Sequence, residues 1–216
     1  SPMSRGLGDV YKRQGFSGTI AALNTMYEGA VTSGNGITNI GDKAVAITDT
    51  TVSDASALNT LNGYTTGVVT ASTVQALTGT AIVLNTLLTA GNDTNQFSSD
   101  SFSSLATATV SDSTLSVAHL NGAIGAANTA TTATSTVFSL SDGATINGGA
   151  ESAFTTLLGY ESGGQVSITD QNLTVDSGTL SVSNANQLDA TTTGTVTADI
   201  ATCLLYTSPS PRDIGE

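Results

Sequence analysis

Tryptophan is absent from this 216-residue chain, aromatic residues make up 5% of it, and charged residues only 10%. It holds one cysteine, Cys203, and one histidine, His119, so neither a disulfide framework nor a His/Cys zinc site can be assembled. Five basic residues stand against seventeen acidic ones, for a formal charge of −12. That balance excludes nucleic acid as a partner, because binding a phosphate backbone requires Lys and Arg to displace its counterions. It speaks equally against anionic membrane surfaces, and no apolar run approaches the roughly 20 residues of a membrane span. Small and hydroxylic residues are what the chain has in plenty: 38 threonines and 23 glycines, beside a hydrophobic share of 38%. That share suffices for a core.

The three prolines, the cysteine and four of the five basic residues lie at the two ends. Ser4 to Gln14 reads SRGLGDVYKRQ and Cys203 to Asp213 reads CLLYTSPSPRD. A DNA string encoding the second encodes the first when read as its reverse complement, one base out of phase. Such a relation marks one adaptor sequence translated at both ends of a fragment. Residues 1–14 and 203–216 are therefore expected to be adaptor-derived and are excluded from fold reasoning. Residues 15–202 then form a repeat segment truncated at both ends, in which Lys43 is the one basic residue against fourteen acids.

Internal repeats are the main feature of that segment. Gly18 to Met26, GTIAALNTM, recurs 61 positions later as Gly79 to Leu87, GTAIVLNTL, and more loosely as Gly149 to Leu157; Leu58-Asn59-Thr60-Leu61 copies its centre. Thr65-Thr66-Gly67 returns 127 positions on as Thr192-Thr193-Gly194, and Thr114-Leu115-Ser116-Val117 returns 65 positions on as Thr179-Leu180-Ser181-Val182. The offsets define a superrepeat of sixty-odd residues and its double, long enough to hold more than one coil.

Alternation with a period of two, closed by Ser/Thr-Asp, predicts short strands at 44–49, 108–112, 137–142 and 165–170. The GTxxxLNT copies read as short helices: Thr19 caps, Ile20, Leu23, Met26 and Tyr27 share a face, and Gly29 stops the run. Thr80 to Gly91 repeats that arrangement, Ser53 or Asp54 opens a helix ending near Gly63, and 118–127 gives a fourth. Between 164 and 201 the helical pattern fades, which predicts a purely β segment. Segments 91–104 and 126–136 read as polar loops. Strands separated by helices favour parallel pairing, because a parallel return needs a crossover. The expected fold is α/β, a repetitive right-handed solenoid of short parallel strands with short helices; the alternative is an all-β parallel β-helix.

The stretches ITDTTVSDASALNTLNGYTTGVVTAST (47–73) and TLSVSNANQLDATTTGTVTADI (179–200) resemble the degenerate repeats of very large, acidic, Thr-rich cell-surface proteins of marine cyanobacteria, a group with swimming-motility and adhesin-like members. The resemblance covers most of 15–202, most clearly 43–91 and 175–200. It implies export, an extracellular or cell-surface location, a mechanical or adhesive role, neighbouring repeats of the parent chain as partners, and no catalytic residues.

Candidate chemistry is sparse. Asp49, Asp112, Asp142 and Asp170 each close a strand, and stacked coils would align them as a ladder with carboxylate oxygens for Ca²⁺. Aspartate at a strand end equally accepts hydrogen bonds from turn amides with no metal, and that is the favoured reading. Neither a calcium nonapeptide nor an EF-hand loop is present: Ser33-Gly34-Asn35-Gly36 with Gly41-Asp42 matches neither. A Ser/His/Asp triad would have to use His119, whose local sequence SVAHLNG reads as helix and lies in no GxSxG elbow. Gly122 to Gly125 lacks the preceding strand of a phosphate loop. Tyr27 and Tyr160 are candidates for stacking on surface glycans. The expected function is a non-catalytic structural or adhesive repeat segment, with a Ca²⁺- or glycan-binding repeat module as the alternative.

Overall fold

The computed structural model describes residues 15–32, 39–130, 136–176, 178 and 180–200. The two adaptor-like ends and Ser33-Gly34-Asn35-Gly36 lie outside the described residues. Strand β1 (Phe16–Gly18) leads into helix α1 (Ile20–Thr32). Strands β2 (Val45–Ile47) and β3 (Thr51–Val52) precede α2 (Ala55–Tyr64), and β4 (Val69–Thr70) and β5 (Ala76–Gly79) precede α3 (Ala81–Gly91). Strands β6 (Thr107–Val110) and β7 (Thr114–Ser116) lead to α4 (Val117–Ala130), and β8 (Val137–Ser139) and β9 (Thr145–Asn147) to α5 (Glu151–Ser162). Strand β10 (Asn172–Thr174) precedes α6 (Val182–Thr191), and β11 (Val196–Thr197) follows it. The chain is thus α/β, and its helices overturn the all-β alternative.

Every strand pairing is parallel, and each joins one strand–helix unit to the next. The strands form three sheets, ordered β1-β2-β4, β3-β5-β6-β8 and β7-β9-β10-β11. Single parallel bridges, Val69 to Phe97, Phe138 to Val166 and Leu180 to Ile200, continue the pattern. Consecutive helices pack on one another from α1 to α6. Short helices cross from one parallel strand to the next, as the pairing geometry demands.

The superrepeat has a structural meaning. The strand entering the helix belongs to the first sheet for α1, the second for α2 and α3, and the third for α4 and α5; α6 is entered from the Leu180 bridge. The entry point moves on by one sheet every second unit. An offset of 61 or 65 residues therefore spans two units, and 127 spans four.

Strand centres and one helix face supply the core. Val45, Ile47, Val52, Leu77, Ala108, Leu115, Phe138, Ile146 and Leu173 point inward, as do Leu58 and Leu61 of α2, Leu84, Leu87 and Leu88 of α3, Leu120 and Ile124 of α4, and Phe154 and Leu157 of α5. Together they make one continuous cluster from Ile20 to Leu188. Burying a Leu- or Phe-sized side chain contributes about 1.5–3 kcal/mol.

Several local expectations are corrected. Segment 165–170 is no strand: Val166 makes one bridge, and the chain then turns, with the Gln171 amide donating to the Ile168 carbonyl. The stretch 164–201 is not purely β, because it holds α6, whose N-cap Ser181 accepts from the Asn184 amide. Only Leu188 of that helix is buried, so it lacks the apolar stripe by which a helix is read from sequence. Gly29 does not end its helix, which runs on to Thr32, whereas α2 ends at Tyr64, beside Gly63 as expected; a Cβ at either glycine would meet nothing within 4 Å. Helix α4 extends through Ala130, into the segment read as a loop. Between α3 and β6 the polar stretch is indeed irregular, yet it is anchored by the fully buried Phe97, Phe102 and Leu105.

Candidate functional site

The polar side chains singled out by the repeats make links between units. In the Thr-Thr-Gly motif, Thr65 Oγ1 donates to the Lys43 carbonyl at 2.7 Å and accepts from the Gly67 amide at 2.9 Å. The Thr66 amide and hydroxyl both donate to the Gly41 carbonyl. The second copy repeats this arrangement: Thr192 Oγ1 donates to the Gln171 carbonyl and accepts from Gly194, while the Thr193 amide and hydroxyl donate to the Thr169 carbonyl. A Cβ on Gly67 would overlap the Lys43 carbonyl, and one on Gly194 the Gln171 carbonyl. The glycine is required because one unit's backbone lies directly on the next.

The Leu-Asn-Thr motif divides its labour among three neighbours. The leucine fills the core, as Leu23, Leu58, Leu84 and Leu120 do. The asparagine reaches the following helix: Asn24 Nδ2 donates to the Ala57 carbonyl at 2.9 Å and Asn59 Nδ2 to Val83 at 3.3 Å, and Asn121 of the related Leu120-Asn121-Gly122 donates to Ala153 at 2.8 Å. In all three the acceptor is the third residue of the next helix. Asn85 packs instead against Gly122, where a Cβ would overlap its Oδ1. The threonine closes on its own helix, as Thr25, Thr60 and Thr86 donate to the carbonyl four residues earlier.

The four aspartates divide into two pairs. Asp49 Oδ2 accepts from the Ile20 amide at 2.8 Å, and Asp112 Oδ2 from the Ala81 amide at 2.6 Å. Each carboxylate thereby caps the helix of the preceding unit, where the exposed amides and the helix dipole favour negative charge. Asp142 and Asp170 stand four residues beyond the bridged Phe138 and Val166 and line one shallow groove of about 450 Å³ with Glu161, Ser139 and Ser167. The ladder of four is therefore not assembled. Among the described residues, no group of three or more His, Cys, Asp or Glu side chains is placed to hold a metal ion.

His119 is half-buried on α4, and no serine hydroxyl or carboxylate is hydrogen-bonded to it among the described residues. Tyr27 is no glycan platform: it is 1% exposed, its hydroxyl donates to the Ile40 carbonyl, and its ring stacks on Tyr64 at 5.8 Å. Burial pushes its phenol above the ordinary range. Tyr160 is half-buried, with its hydroxyl against Gly125. Sequence reasoning missed Glu151, Ser101 and Thr136. The buried Ser101 hydroxyl accepts from the Ala71 amide and donates to the Val69 carbonyl, and that of Thr136 donates to the Leu105 carbonyl. Ser101 and Thr136 lie in segments that do not repeat, so no copy could have flagged them; Glu151 lies in the loose copy 149–157, where the other copies carry Ile20 and Ala81.

Among the described residues no helix is long and apolar enough to cross a membrane. No family model, no curated protein and no solved structure matches the chain.

Proposed function

We propose that this chain is a non-catalytic structural or adhesive repeat segment of a large secreted or cell-surface protein, folded as a right-handed solenoid whose function is reach, stiffness and surface presentation. One observation carries the reading: the repeated Thr-Thr-Gly and the asparagine of Leu-Asn-Thr, with Asp49 and Asp112, are committed to joining one unit to the next. The Asn-to-carbonyl, Asp-to-amide and Thr-Thr-Gly links all bridge neighbouring units. A stack joined in this way can be lengthened by adding units without a new design at each step. The acidic, threonine-rich composition suits an exported spacer. The resemblance to giant cyanobacterial surface proteins supports the same reading, with neighbouring repeats as partners.

A Ca²⁺- or glycan-binding module is the second reading; its one structural support is the groove lined by Asp142, Asp170 and Glu161, although these carboxylates are not grouped to hold a metal ion together. Thermal unfolding followed by circular dichroism, with calcium and with chelator, separates the two. A structural stack unfolds at the same temperature in both. A rise of several degrees with calcium would show a metal bound preferentially to the native state and would replace the first reading by the second.

A further inference from the structure

The C-terminal helix is attached differently from the others. Where Asp49 and Asp112 reach back to the helix before them, Glu151 reaches forward. Its Oε1 accepts from the Ser181 amide at 3.1 Å, the Ser181 hydroxyl at 2.5 Å and Asn184 Nδ2 at 2.6 Å. One carboxylate oxygen thus takes three hydrogen bonds from the N-terminus of α6, while Glu151 is itself the first residue of α5. The charge serves two helix N-termini together. The Thr192–Thr193 links hold the C-terminal end of α6, but little of the helix itself is buried: Leu188 is its one buried residue, against three to five in each of α2 to α5.

We propose that Glu151 is an acid-sensitive clasp: ionised, it fastens α6 to the body of the protein; protonated, it lets that terminal unit open while the rest stays folded. Protonation, which Oε2 takes while Oε1 keeps its three donors, removes the charge that strengthens those hydrogen bonds and the attraction to the helix N-terminus. Among the described residues no other carboxylate is hydrogen-bonded to the N-terminus of α6: Asp199 meets Leu180 through its backbone carbonyl, and Glu161 lies at the far end of α5. Helix α4, packed on α5, carries only His119; α6 carries only Asp189, two turns beyond Ser181; β9 carries none. Asp176, beyond the end of β10, lies near Gly148. The Glu151 carboxyl is held below its ordinary value of 4.5 by the Ser181 hydroxyl first, then the Ser181 amide and Asn184, with no charged neighbour contributing. A depressed folded-state value gives stability that is present above the ordinary value and lost as pH falls through the lower one.

Amide hydrogen exchange on the full chain, expressed as protection relative to the intrinsic rate at each pH, tests the clasp. Between about pH 5.5 and about pH 3, a range spanning carboxylate protonation, α6 amides are expected to lose several-fold protection while α3 and α4 amides keep theirs. Glu151→Gln is neutral at every pH, like the protonated acid, so α6 protection is expected to be reduced already at about pH 5.5 and to stay level across the same range. Unchanged α6 protection in the wild type, or an equally steep fall in the Gln variant, would overturn the proposal.

Discussion

At the scale of single residues, the preserved glycines and asparagines are contact positions between units. Gly67→Ala and Gly194→Ala each drive a methyl into the backbone of the preceding unit, where no flexible side chain can yield. Each is expected to cost about 2–3 kcal/mol, in the range of overpacking substitutions, measured as the shift in urea unfolding midpoint at constant slope. Gly29→Ala, with open space around it in mid-helix, is expected to be neutral or stabilising by up to about 1 kcal/mol. Asn59→Ala removes one neutral hydrogen bond to the Val83 carbonyl and is expected to cost about 1 kcal/mol. An Asn59→Ala protein as stable as the wild type would remove the asparagine from the inter-unit links.

The motifs Thr-Thr-Gly and Leu-Asn-Thr were legible in the sequence as repeats. What their polar members touch was not, because a partner 21 to 33 residues away leaves no local periodicity. The aspartates show the same limit: turn-amide capping was the favoured reading, and the structure gives Asp49 and Asp112 amide partners in the preceding unit.

At the scale of elements, capping decides more than propensity. Thr80 caps α3 through the Val83 amide, and Asp54 caps α2 through the Ser56 amide and hydroxyl. Both were visible as hydroxyl or carboxylate residues placed before an apolar stripe. Helix α6 was missed because it has no stripe, although Thr179 to Val182 copies the entry to α4 and was the available signal. The strand expected at 165–170 failed for the opposite reason: alternation was present, but the turn at Thr169–Asp170 leaves one bridging residue.

Caps also set the response to acid. The Asp54 carboxyl is held below its ordinary value by the Ser56 hydroxyl, then the Ser56 amide; that of Asp93 is held down by Gln96, then Asn95. With Glu151 these carboxylates bind protons less readily folded than unfolded. Stability is therefore expected to be level above the ordinary carboxylate range and to fall as pH drops through it, read from unfolding midpoints across a pH series. Replacing Asp112 by Ala leaves the Ala81 amide uncapped and is expected to cost about 1 kcal/mol.

At the scale of the whole molecule, the parallel pairing and the strand–helix alternation were legible, because repeated strands with intervening helices admit few other arrangements. The sixty-odd-residue superrepeat was legible as an offset. Its cause, the advance of the entry strand by one sheet every second unit, appears only when the sheet order is known.

The central claim is that two units form an interchangeable module, and excising one tests it most directly. Deleting residues 114–178 joins Ser113 to Thr179 and puts Leu180 where Leu115 stood, a step of 65 residues in the repeat. The account predicts a shorter protein that keeps helix and strand signals per residue in circular dichroism and unfolds in one cooperative transition at a lower temperature. A deletion variant with no cooperative transition would contradict it, since the units would then depend on contacts that the repeat does not carry.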